Sequence, residues 1–140
     1  MVAGGLAVLL VPLQVSRMWR HGDRPKHVYL GWALVPIIVA ATWTTPPIAF
    51  NMTQPFWSKL GFALGAVVWL GALVMGIHAI KTKQLDRHRR SIVMMASLSF
   101  GAVSFRIQYP LFRLFIDKEI IFPYIGWTCW VPNVIGVACW

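Results

Sequence analysis

A chain of 140 residues that is 58% apolar and only 12% charged, with a mean hydropathy of +0.64, would leave extensive apolar surface in water as a soluble domain. Its net charge of +9 does not mark a nucleic-acid binder, because the basic residues gather in short stretches between apolar runs, where membrane proteins carry their positive loops. The expected fold is all-α, a polytopic transmembrane helix bundle of about five spans forming a single transmembrane domain over residues 1–140.

The first apolar run covers residues 1–16. As a helix it would be about 24 Å long, short of the roughly 30 Å hydrocarbon core, so it reads as a short or tilted span. No basic residue precedes it and no clear cleavage site follows it, which argues against a cleaved leader. The second run, 28–50, meets Thr44, Thr45, Pro46 and Pro47, and the paired prolines are expected to end its helix, leaving 48–55 as a surface loop. The third, 57–80, carries Gly61 and Gly65 in a small-xxx-small spacing that lets a neighbouring helix approach closely, with Gly71 and Gly76 beyond. This span is the expected centre of packing. The fourth run covers 91–115 and the fifth 120–140, where Cys129 and Cys139 are too far apart in one helix to pair and are expected as free, buried thiols.

The charges orient these spans. Arg17, Arg20, Arg24 and Lys26 fall between the first two runs, and Lys81, Lys83, Arg87, Arg89 and Arg90 between or at the ends of the third and fourth, which puts nine of thirteen basic residues on one side. Short basic loops stay in the cytoplasm, or in the matrix for an organelle. Arg17, Arg20, Arg24, Lys26, Arg87, Arg89 and Arg90 are the expected contacts for anionic lipid headgroups. Trp19, Trp57, Trp127 and Trp140 suit the two membrane interfaces, whereas Trp32, Trp43, Trp69 and Trp130 lie deeper and are expected to pack between helices.

Arg106 sits inside the fourth run, where leaving it in lipid would cost about 2.5–3.5 kcal/mol. At about 100° per residue, Met95, Ser99, Ala102, Arg106 and Arg113 share a small, polar stripe with His88, which is expected to face the bundle interior. Asn133, beside Pro132 in the fifth run, is the expected partner. Pro132 also frees a carbonyl near residue 128, and Gln14 and Gln108 are the other deep polar side chains. The competing assignment gives Arg106 an anionic partner: a haem propionate, a lipid phosphate or an anionic substrate.

All four histidines, His21, His27, His78 and His88, stand at the basic ends of spans or between them, so three helices present imidazoles at one depth. Two imidazoles from facing helices can hold a haem iron, and a mixed set can hold a transition metal, so His27, His78, His88 and Arg106 form a candidate haem b or metal site. The opposing assignment is an interfacial one, with the imidazoles capping helix ends or binding lipid phosphate. Zinc-type spacings are missing, and no acidic residue lies within a span to relay protons.

"VPLQ" at 11–14, His27 with Tyr29 and Gly31, "GFALGAVVWLGAL", "HRRSIVMMASLSFGAVSFRI" and "WTCWVPNV" together resemble the domain-of-unknown-function 2306 family of predicted integral membrane proteins, over nearly the whole chain. The resemblance places motif positions at His27, His88, Arg89, Arg106, Trp130, Pro132 and Asn133. Val28 stands where the family tends to have arginine, and Ser91 where a tryptophan usually follows the two arginines. The resemblance implies a small multi-helix membrane fold and no established activity.

The expected function is that of a non-enzymatic integral membrane protein, an accessory subunit of a larger complex such as a respiratory one, with membrane lipids and other membrane subunits as partners and no nucleic acid. The alternative is a haem- or metal-binding redox module, and a weaker one a small-anion transporter, since five spans show no duplicated halves. The expected location is a bacterial inner membrane, or the mitochondrial inner membrane for a eukaryotic source.

Overall fold

The computed structural model describes residues 2–18, 24–51 and 53–139, and every regular element among them is an α-helix. In chain order these are α1 (Val2–Met18), α2 (Arg24–Asn51), α3 (Phe56–Lys81), α4 (Leu85–Ser99), α5 (Gly101–Arg113), α6 (Lys118–Thr128) and α7 (Val131–Ala138). Helices α4 and α5 together make one apolar span, and α6 and α7 another. With α2 and α3, that gives four helices long and apolar enough to cross a membrane among the described residues. The first run, expected as a fifth span, is the shorter one: its apolar part is Gly5–Gln14, packed against α2.

Helix α2 does not stop at Pro46 and Pro47 but continues to Asn51. Each proline removes one donor, yet its locked φ is a helical one, and in an apolar surrounding the chain has no better partner for its remaining groups. Just before them Thr45 Oγ1 donates to the Ala41 carbonyl at 2.7 Å and Thr44 Oγ1 to that of Ala40 at 2.9 Å, tying down the turn. Residues 85–90, expected in a connection, instead form the first turns of α4. The link before it is only 82–84: the Gln84 N–H donates to Ala79 O (2.8 Å) and that of Lys83 to Ile80 O (3.1 Å), with Lys83 at φ 59° where glycine would usually stand.

Helix α3 is the centre of packing, in contact with α2, α4 and α6. A core of Val11, Leu34, Ile38, Ala72, Leu73, Ile92, Met95, Ala96 and Leu98 joins α1 to α4. Opposite it, α3 and α6 meet backbone to backbone: a Cβ on Gly61 would stand 2.7 Å from the Gly126 carbonyl, and one on Gly126 would collide with the Ser58 carbonyl. Gly65 receives the Trp130 indole and Gly76 receives Ile92, while Gly71 meets nothing.

Two spans are interrupted at the same level. Between α4 and α5, the Val103 N–H reaches Phe100 O at 2.9 Å, a tightened turn; between α6 and α7, Trp130 takes φ −125° ahead of Pro132. The breaks face each other, since a Cβ on Gly101 would lie 3.3 Å from Cys129 O.

Candidate functional site

Two regions gather the sequence-predicted site residues, the basic end of the bundle and a cavity beyond its middle. At the basic end, Gln14 on α1 is only 5% exposed and its Nε2 donates to the His27 carbonyl at 3.0 Å. That carbonyl can only accept, so the amide nitrogen faces α2, and the 3.3 Å contact from the same Nε2 makes His27 Nε2 an acceptor, with the ring proton on Nδ1. His27 Nδ1 and Gln14 Oε1 are both buried without a partner. On α4, His88 Nδ1 lies 2.8 Å from Gly76 O, which makes it the donor and leaves the Nε2 lone pair open. The two imidazoles are near enough to interact electrostatically.

His78 is exposed near the end of α3 and outside this group. The structure thus joins His27 to Gln14 and brings it near His88, but leaves the third expected histidine aside. No group of three or more His, Cys, Asp or Glu residues able to hold a metal occurs among the described residues. Lys26, Arg87, Arg89 and Arg90, four of the expected headgroup contacts, are exposed at this end. Arg20, His21, Trp19 and Trp140, with the side chains of Arg17 and Arg24, lie outside the described residues.

Toward the other end a cavity of about 710 Å³ opens between α1, α2 and α5. Gly5 and Leu9 line it from α1, Thr44, Thr45 and Ile48 from α2, Phe62 and Trp69 from α3, and Ala102 and Arg106 from α5, with Trp130 at its inner wall.

The expected bond between Arg106 and Asn133 is not formed. Arg106 Nη1 donates to Ala102 O, one turn back on its own helix, at 2.8 Å, and the side chain is exposed. Asn133 Nδ2 donates to Ser97 O at 3.2 Å and Cys129 O at 3.3 Å, because α7 packs on α4. The break at Phe100–Gly101 explains the difference: Met95 and Ser99 of the expected stripe are buried, but Ala102, Arg106 and Arg113 beyond the break are exposed. The carbonyl that Pro132 frees, on Thr128, does receive a side chain, that of Gln108, whose Nε2 donates to it at 3.3 Å.

Sequence reasoning missed the indole bonds. Trp130 Nε1 donates to Gly126 O (2.9 Å) and Gly61 O (3.1 Å), fastening α6 to α3 beside the glycine contact. Trp69 Nε1 reaches Ser99 Oγ at 3.1 Å, and Trp127, expected as an interface anchor, donates to Trp57 O at 3.1 Å. The available signal was that a half-buried indole needs an acceptor, and glycines leave their carbonyls accessible. Trp32 and Trp43, expected between helices, face outward instead, and of the two free thiols Cys129 is buried and Cys139 exposed.

The family described as "Predicted membrane protein (DUF2306)" matches residues 1–140. The chain belongs to that family. It is a multi-pass integral membrane protein, and its helices place the family-like positions His27, His88, Trp130 and Asn133 at helix-to-helix contacts, with Arg106 on the cavity. No curated protein matches the chain. No solved structure matches it either.

Proposed function

We propose that this family member is a non-enzymatic accessory subunit of a larger membrane assembly, such as a respiratory complex, in a bacterial inner membrane or the mitochondrial inner membrane. The observation that carries this reading is one face of α2. Tyr29, Trp32, Pro36, Val39, Trp43 and Phe50 recur at spacings of three, four and seven residues and are all exposed, Trp43 by 82%. An aromatic-rich stripe offers a partner helix broad ring faces and edges for close packing, the contribution that association between lipid-bathed helices depends on. The charged residues of the 81–90 segment orient the basic end toward the cytoplasm or matrix.

The test is the size of the assembly extracted from native membranes in a mild detergent. The expected result is a species of defined mass well above that of a lone 15.8 kDa chain, which dissociates in a Trp32→Ala, Trp43→Ala double variant. Migration of the wild type as a free chain would overturn the reading.

A second reading, a haem- or metal-binding redox module, draws on His88. Its Nδ1 hydrogen bond to a backbone carbonyl is the arrangement that fixes a ligating imidazole with Nε2 outward. The His27 lone pair, however, already accepts from Gln14, so a second imidazole nitrogen is free only after Gln14 turns away. This reading predicts a Soret band or stoichiometric metal in the purified protein, lost in His88→Ala; absence of both would end it.

A further inference from the structure

We propose that the cavity between α1, α2 and α5 binds a single-chain amphipath with a carboxylate head, a molecule of the fatty-acid type, and that Arg106 receives the carboxylate. Among the described residues the guanidinium is the only charged group on the cavity wall, and Asp86, Asp117 and Glu119 do not line it. Like most helical side chains it leans toward the helix N-terminus: Nη1 reaches back to Ala102 O, which leaves the charge about 15 Å from the Arg113 end of α5, toward the middle of the span. One carbonyl occupies one of the five guanidinium donors, and an anion is the partner that would meet the others and offset the charge at that depth.

The rest of the wall asks for no polar partner. The Thr44 and Thr45 hydroxyls donate to backbone carbonyls, Trp69 donates to Ser99, and Trp130 donates to Gly61 and Gly126. One unmatched positive charge on an otherwise apolar wall is complementary to one negative head on an apolar body. A volume of about 710 Å³ falls in the range that holds ligands of this size, about 300–1,000 Å³.

Geometry also chooses between a single chain and a membrane phospholipid. Leu9, Thr44, Ile48, Ala102 and Arg106 line the cavity and are exposed, so its mouth opens sideways at the level of the acyl chains. A phosphodiester keeps its charge and stays at the headgroup plane, whereas a single-chain acid can enter the hydrocarbon as the neutral acid and reach the guanidinium, which favours its ionised form, the proton returning to interfacial water. A single carboxylate also matches a single guanidinium with two parallel hydrogen bonds.

The experiment uses the full chain in phosphatidylcholine nanodiscs, titrated with palmitate and with methyl palmitate, with native mass spectrometry of the purified protein alongside. The expected result is saturable binding of one palmitate, at least tenfold weaker binding of the methyl ester, a similar tenfold loss in Arg106→Leu, and partial recovery in Arg106→Lys. Ala102→Trp, which fills the mouth and leaves the arginine in place, is expected to abolish binding while the helical content and monodispersity stay those of the wild type. Equal binding of acid and ester, indifference to Arg106→Leu, or a retained diacyl phospholipid in place of a single-chain acid would each overturn the proposal. So would a cavity closed to palmitate because a partner helix fills it in the native assembly.

Discussion

The α3–α6 contact and the α2–α5 gap lie in the same half of the bundle and solve opposite problems. Across the contact, Gly61 and Gly126 remove every side-chain atom, the helices approach until their backbones touch, and the Trp130 indole ties both carbonyls. Across the gap, Thr44, Ile48, Ala102 and Arg106 leave a cavity with a charge on its wall. Between lipid-bathed helices no hydrophobic force draws surfaces together, so close packing and satisfied polar groups decide which helices adhere. A pair of glycines supplies both; a lone arginine supplies neither and calls for a ligand.

That contrast is broken most severely at the contact. Gly126→Leu places a side chain against the backbone of Ser58, which cannot move without moving α3, and is expected to cost about 3 kcal/mol or to abolish monodisperse protein. Thermal retention in detergent by size-exclusion chromatography measures it, with Gly71→Leu, which meets nothing, expected to behave as the wild type. Trp130→Phe keeps the ring and removes the two hydrogen bonds, for an expected loss of about 1–2 kcal/mol by the same assay.

On the other side of the comparison, Asn133→Leu removes the bonds to Ser97 and Cys129 and is expected to cost about 0.6 kcal/mol, typical of polar contacts between membrane helices. Arg106→Leu in ligand-free protein is expected to cost less or to stabilise slightly, because it removes a charge from an apolar wall. The double variant should show additive effects, since the two residues share no partner. A coupling above about 0.5 kcal/mol would mean that Arg106 does reach Asn133. The smallest expected effect is at the tight connection, where Lys83→Gly relieves about 1 kcal/mol of left-handed backbone strain but adds unfolded-state entropy of similar size, so stability should rise by only a few tenths of a kcal/mol, read as a slightly higher midpoint in the same assay.

Much of this contrast was legible in the residues. The apolar runs locate α2 and α3, the Gly61/Gly65 spacing identifies α3 as the packing centre, and the Pro132 rule finds the open carbonyl of Thr128. The gap was not legible, for a physical reason. Helical phase carries a residue's direction forward only while the helix is unbroken, and the tightened turn at Phe100 separates Ser99, buried, from Ala102 and Arg106, exposed. Pro46 and Pro47 misled in the opposite sense, because a rule learned where water can satisfy a broken helix weakens inside an apolar layer. Nor does composition say which face of α2 looks outward: Trp32 and Trp43 suit a packed core or an outer surface equally well, and only the position of α1 and α3 around them decides.

The claim that the gap is a binding site rests on one contact, and solid-state nuclear magnetic resonance can measure it. Protein with ¹⁵N-labelled arginine side chains, in nanodiscs with one equivalent of carboxyl-¹³C palmitate, should show dipolar dephasing between carboxylate carbon and guanidinium nitrogen at hydrogen-bonding distance. The account predicts that this signal is present in the wild type and disappears in Arg106→Leu. Dephasing that persists in that variant, arising from the surface arginines, or none in the wild type, would contradict it.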